Sequence, residues 1–266
     1  MLRLFRSKDL PDALDVNEKE AVVVDKLTKV FHQDDREVYA LDEVSFSVKK
    51  GEFFSIIGRS GSGKTSLLNI LGAMEKPTSG KIAIGGKTLS RLSSKELTMI
   101  RRNEIATIYQ HYNLIPVLNA FQNVELPLLL TGMEKKERLL RAKKLLNLVG
   151  LGDRLDHTPE QLSGGEKQRV AIARSLANKP KIILADEPTG NLDKEIESTI
   201  VDLLEGINRD LNTTLIMVTH DPRLAERADR VLELRNGNIV EIRPGKEAET
   251  RRKQLKQIEV KDTSFY

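Results

Sequence analysis

One run of residues limits what this chain can be more than any other. Gly58, Arg59, Ser60, Gly61, Ser62, Gly63, Lys64 and Thr65 fit the pattern G-x-x-x-x-G-K-[ST]. Glycines there let the backbone wrap closely round phosphate oxygens, with successive N–H groups pointing inward. At ordinary glycine usage the pattern arises by chance about once in a hundred chains of this length, so context must decide. Here the run follows the apolar stretch Phe53–Ile57 and opens a helical pattern. A strand that turns through such a loop into a helix aims the helix's positive end at the same phosphates. Lys64 then bridges the β- and γ-phosphates, the Thr65 hydroxyl holds Mg²⁺, and Ser66 shares the first helical turn. The alternative is an incidental glycine-rich turn.

Two more short apolar runs, Ile182–Ala185 and Leu215–Val218, have the same character as Phe53–Ile57. Continuous apolar runs with little alternation predict strands buried on both faces, as in a parallel sheet covered by helices. Ligands in such sheets bind beyond the carboxyl ends of the strands. The first run leads into the glycine-rich loop, the second into Asp186 and Glu187, and the third into Thr219, His220 and Asp221. The three clusters should converge. Asp186 is the expected metal ligand, and Glu187 the general base that polarises an attacking water. The alternative for that pair is an acidic strand end capping a turn. His220 can hydrogen-bond the γ-phosphate and the water, although a lone histidine is more often structural.

Residues 21–50 carry short, partly alternating runs, Val22–Val24 and Val44–Val48, which suggest an antiparallel layer. Residues from about 90 to 178 read mainly as helix, over Lys95–Arg102, Glu134–Val149 and Gly165–Ala177, with Asn178 and Pro180 as a stop. That places a helical block between the first and second nucleotide-site strands. Residues 1–20 are charged and read as a loose arm; an amphipathic anchor from Leu2, Leu4, Phe5 and Leu10 is the alternative. Residues 244–266 form a charged tail.

At 266 residues with 39% apolar and 31% charged content, the chain can bury a core, which excludes general disorder and collagen. A net charge of +4 is too weak an excess to mark a nucleic-acid face. There are no cysteines, which removes disulfides, thiolate chemistry and Cys-ligated zinc. Met1–Ser7 runs into charge, so no secretory signal is expected. No apolar stretch is long enough to cross a bilayer, so any membrane role needs another chain.

The run Leu162–Leu176, which begins Leu-Ser-Gly-Gly-Glu, resembles the signature motif of ATP-binding-cassette (ABC) ATPases. It precedes Ile182–Asp193, which resembles their second nucleotide motif and the loop after it. The resemblance covers about residues 21–242. It implies an α/β fold: a P-loop NTPase core of the RecA-like type with an antiparallel β subdomain and an inserted helical subdomain, about 111–178, within a cassette of 21–243. It implies that Gln110 touches Mg²⁺ and reports to the helical block. Phe31 takes the place of the aromatic that stacks on adenine, or is an ordinary core residue. Ser163, Gly164 and Gly165 open a helix and offer N–H groups to an anion. In the family they cover the ATP held by a second copy of the chain in a head-to-tail dimer, with Asp193 at the seam.

Tyr39–Asp42, Tyr112–Pro116 and Asn123–Pro127 resemble the lipoprotein-releasing and macrolide-export branch. The implied function is MgATP hydrolysis that drives a separate integral-membrane permease, at the cytoplasmic face of the membrane, exporting or extracting a lipoprotein, peptide or drug-like substrate. No nucleic acid is expected. An FtsE-like regulatory membrane ATPase and a soluble mechanical ABC ATPase are the alternatives; a phosphotransferase is remote, because Glu187 with His220 suits an activated water.

Overall fold

The computed structural model describes residues 14, 16–33 and 36–247. The proposed anchor residues Leu2, Leu4, Phe5 and Leu10, and the tail beyond residue 247, lie outside that range. Among the described residues no helix is long and apolar enough to cross a membrane.

The strands are β1 (Glu20–Gln33), β2 (Arg36–Lys49), β3 (Phe53–Ile57), β4 (Ser79–Ile84), β5 (Lys87–Thr88), β6 (Ile105–Ile108), β7 (Ile182–Asp186), β8 (Thr214–Thr219), β9 (Arg230–Arg235) and β10 (Asn238–Pro244). The helices are α1 (Lys64–Leu71), α2 (Ser94–Asn103), α3 (Ala120–Leu130), α4 (Lys135–Leu148), α5 (Gly164–Ser175), α6 (Lys194–Asp210) and α7 (Pro222–Ala225). They build two sheets. One is antiparallel, in the order β2-β1-β4-β5; the other has the order β10-β9-β3-β8-β7-β6 and is parallel from β9 to β6.

The continuous apolar runs are explained by burial on both faces of the larger sheet. Phe54, Ile56, Ile182, Leu184, Ile216 and Val218 point into a core shared with α1 and the antiparallel sheet. Their neighbours Phe53, Ile183, Ala185, Leu215 and Met217 point into a second core with α3, α4, α5 and α6. The phenyl rings of Phe46 on β2 and Phe54 on β3 stack at 5.7 Å between centroids, joining the two sheets.

The block read as helix from about 90 to 178 contains a strand. β6 pairs in parallel with β7, Ile105 opposite Ile182 through Ile108 opposite Ala185, and forms the edge of the large sheet. The four residues of β6 follow Asn103, the last residue of α2, by a single residue, so their apolar positions merge with the helical period. Beyond β6 the expected helices Glu134–Val149 and Gly165–Ala177 are α4 and α5, and α3 is a further helix not singled out in the sequence. α3, α4 and α5 carry Val124, Leu128, Leu145, Leu146, Val170 and Ile172 into one core. Reciprocal capping boxes start α2 (Ser93 with Glu96), α3 (Asn119 with Gln122) and α5 (Ser163 with Glu166).

Candidate functional site

β3, β8 and β7 are adjacent strands, so the polar residues that follow each of them meet at one edge of the sheet. After β3 the chain passes through Gly58–Gly63 into α1. Gly63 stands at φ 101°, and a Cβ there would lie 2.1 Å from the Ala40 carbonyl oxygen. Only glycine lets β2 come this close behind the loop. The Lys64 ammonium folds back on its own loop and donates to the Gly58 and Arg59 carbonyls at 2.7 and 2.9 Å. The Ser62 hydroxyl is buried inside the loop without a hydrogen-bond partner. Such a donor suits an anion that arrives from outside. Arg59, Ser60, Gly61 and Thr65 are exposed, and Ser66 is half-buried in the first turn of α1.

The electrostatics fit the same ligand. Burial lowers the Lys64 pKa from its ordinary value, against the attraction of Glu187 and Asp186. Burial and the charge of Glu187 raise that of Asp186, against Lys64. An anion at the loop and a cation at Asp186 would each relieve these burdens. Among the described residues, no group of three or more His, Cys, Asp or Glu side chains is placed to hold a metal. Mg²⁺ needs no such group, since it is usually held by one or two carboxylates together with substrate phosphates. Asp186, Thr65 and Gln110 are the side chains expected to offer it oxygen.

Glu187 adopts a left-handed φ of 43°, which a non-glycine residue seldom does. Its N–H donates to the Val218 carbonyl at 2.9 Å, and its carbonyl accepts from Gly190 N–H at 3.0 Å. The backbone on both sides thus holds the carboxylate at the mouth of the sheet. Its Oε2 lies 2.5 Å from Nδ1 of His220. A carboxylate can only accept, so Nδ1–H donates, which leaves Nε2 of the exposed His220 as the acceptor nitrogen of the neutral ring. Gln110 follows β6 and meets the loop after β7. Asn191 Nδ2 donates to the Gln110 carbonyl at 3.0 Å, and Gln110 Nε2 to Asn191 Oδ1 at 3.4 Å.

The remaining predicted residues stand apart from this cluster. Ser163 caps α5, exchanging bonds with Glu166, and Gly164 and Gly165 pack against Leu192 and Ile196. The positive end of α5 is therefore presented on the helical block, on a separate element from the phosphate loop. Asp193 precedes α6; its carbonyl accepts from Ile196 and Glu197 N–H, and its exposed carboxylate makes no capping bond. Phe31 lies on β1 opposite Val38 with 41% of its surface exposed, which removes the ordinary-core reading.

Sequence reasoning gave no role to Arg174 and Asn123, which fix the segment after Gln110. Arg174, on α5, donates to the Asn113 and Tyr112 carbonyls at 2.5 and 2.8 Å, and both of those residues have left-handed φ. The fully buried Asn123 accepts from Ile115 N–H at 2.8 Å and donates to the Leu118 carbonyl at 2.9 Å. Arg174→Lys keeps the charge but loses the fork that spans two carbonyls. It should cost about 1–2 kcal/mol in urea unfolding and lower ATP turnover more than ATP affinity. Unchanged turnover would mean that the loop keeps its place without Arg174.

The family model for ABC transporters matches residues 41–190. The chain belongs to the ABC transporter family. An uncharacterised ABC transporter ATP-binding protein of Thermotoga maritima is 48% identical over 211 residues, 79% of this chain and 90% of that protein. The lipoprotein-releasing system ATP-binding protein LolD of Shewanella denitrificans is 46% identical over 216 residues, 81% of this chain and 93% of that one. Among solved structures, the dimeric post-hydrolysis state of the ATP-binding cassette MJ0796, bound to ADP and Pi, matches with TM-score 0.78 at 42% identity. That match covers 84% of this chain and 98% of the other. The ABC ATPase fold expected from the motifs is thereby the fold observed.

Proposed function

We propose that this chain is the ATP-hydrolysing subunit of an ABC transporter, working as a head-to-tail dimer on a separate integral-membrane permease. The observation that carries the reading is the division of the site. Lys64, Asp186, Glu187 and His220 gather at one sheet edge, while Ser163–Gly165 present a helix end elsewhere on the chain. A second copy related by a two-fold axis brings each signature over the other copy's phosphate loop.

Within each site the phosphate loop and Lys64 bind the β- and γ-phosphates, and the face of Phe31 receives the adenine. Glu187, oriented by His220, takes the proton of the attacking water, and Nε2 of His220 faces the γ-phosphate. Thr65, Asp186 and Gln110 would hold Mg²⁺, which would supply charge neutralisation to the phosphates. Asp193, at the seam, links the two sites. The cassette comprises residues 21–243, with its helical subdomain at about 111–178.

A cavity of about 510 Å³ supports the permease reading. It lies between β6, through Ala106 and Thr107, and the helical block, through Leu126, Leu130 and Arg174. Tyr109 and Asn113, which flank Gln110, also line it, so a segment seated there would press on the Gln110 loop. The LolD-type relatives are named for lipoprotein release, which supports export or extraction of a lipoprotein, peptide or drug-like substrate by the permease, with this chain working at the cytoplasmic face of the membrane.

The test is to purify a tagged Glu187→Gln chain with MgATP from detergent-solubilised membranes and to identify its companions by mass spectrometry. A stoichiometric polytopic protein is expected. Recovery of ribosomes, nucleic acid or soluble proteins alone would overturn the transport reading.

A further inference from the structure

Phe31 does not stand alone on its strand. Lys29, two residues earlier on β1, places its ammonium 4.9 Å from the centre of the Phe31 ring. The Lys29 side chain is largely buried, and the ammonium is fixed twice more. It lies 2.7 Å from the Glu75 carboxylate and donates to the Lys76 carbonyl at 3.2 Å. Both partners belong to the turn that leaves α1, the helix whose other end opens the phosphate loop. The β pairing is irregular at this place: Lys29 is opposite Leu41 but Val30 is opposite Tyr39, so Ala40 is an extra residue on β2. Such a bulge re-aims the side chains beside it.

A cation over an aromatic face is attracted by the ring's quadrupole, more strongly where water is kept away. A ring has two faces. With one held by Lys29, the phenyl loses rotamer freedom before any ligand arrives, and Phe31 keeps enough exposed surface for a flat partner. The ammonium also draws electron density through the ring, which favours stacking of an electron-rich purine on the opposite side. A long lysine side chain is usually too mobile for this; Glu75 and the Lys76 carbonyl remove that mobility.

We infer that Lys29 is a positioning residue for the nucleobase: tethered to the far end of the phosphate-loop helix, it fixes the Phe31 ring and sets how tightly the site holds a purine. The inference rests on the reading of Phe31 as the adenine platform.

Lys29→Met keeps the length and apolar stem but removes the charge. Direct titration should show ATP affinity reduced about two- to fivefold, with affinity for inorganic tripolyphosphate, which has no base, unchanged. Lys29→Arg should restore ATP binding, since a guanidinium can also sit over the ring. Glu75→Gln, which loosens the ammonium without touching β1, should reproduce part of the loss. Unchanged ATP affinity in Lys29→Met overturns the inference. So does a parallel loss for ATP and tripolyphosphate, which would make Lys29 a general fastening of β1 to α1. Phe31→Ala separates the two readings. If it weakens ATP binding and Lys29→Met does not, the role of Lys29 alone falls; if it leaves ATP binding intact, the platform falls with it.

Discussion

Glu187→Gln should bind MgATP about as tightly as the wild type, lower phosphate release by on the order of 10²–10⁴-fold, and accumulate as an ATP-bound dimer. The structure says why the change should be this selective. Glu187 is placed by its backbone, through Val218 and Gly190, and its left-handed φ is imposed by those bonds and not by the carboxylate. Glutamine fits the same space, and its Oε1 can still accept from His220 Nδ1–H, as the carboxylate does at 2.5 Å. Lys64 and the phosphate loop are untouched, so the groups proposed to hold the phosphates remain. What disappears is the one group able to take a proton from water while His220 keeps its orientation. Phosphate release and size-exclusion chromatography with ATP check both halves of the expectation. Hydrolysis at the wild-type rate would remove Glu187 from the role of base.

How much of this was legible in the sequence depended on whether a feature is local along the chain. β3, β7 and β8 could be read because burial on both faces of a parallel sheet leaves continuous apolar runs, and the chemistry follows each run within a few residues. β6 could not, because Ile105–Ile108 continue the apolar spacing of α2 and pair only through β7. α3 was equally hard to see, since it is apolar on most sides and contains Pro127. The proposed phosphate-site residues could be read from the sequence because loop closeness demands glycine and phosphate favours lysine, whatever the rest of the fold. Arg174 and Lys29 could not, because each reaches a backbone carbonyl on a distant segment, and Asn123 could not, because it bonds nearby backbone groups whose positions depend on the fold of the loop before α3. Arg174 reaches back 61 and 62 residues to Asn113 and Tyr112, and Lys29 reaches forward 47 to Lys76. A carbonyl has no residue type, so no pattern of side chains marks where such a bond will form. The division of the nucleotide site between two copies was suggested by the signature; within the chain Ser163 is exposed, while Gly164 and Gly165 pack against Leu192 and Ile196.

Ser163→Arg tests that division. Ser163 is an exposed N-cap whose hydroxyl accepts from Glu166 N–H at 3.3 Å, so its replacement should cost about 1 kcal/mol and leave the chain folded. Binding of ATP to the single chain should be unchanged, because no part of the phosphate loop is altered. Hydrolysis should fall by about 100-fold or more, since removing even one donor from a charge-stabilising site has that effect. The bulky side chain would also stand where the partner's loop must close. The sharper form of the experiment mixes two inactive chains, Ser163→Arg and Lys64→Ala. In a head-to-tail dimer each mixed pair joins the intact phosphate loop of the first to the intact signature of the second, at one of its two sites. Random pairing then returns up to about a quarter of wild-type hydrolysis. A site contained within one chain could never be rebuilt this way, because each of its copies would carry a defect. Recovery on mixing therefore requires the shared site, and a Ser163→Arg chain that hydrolyses ATP at the wild-type rate would exclude it.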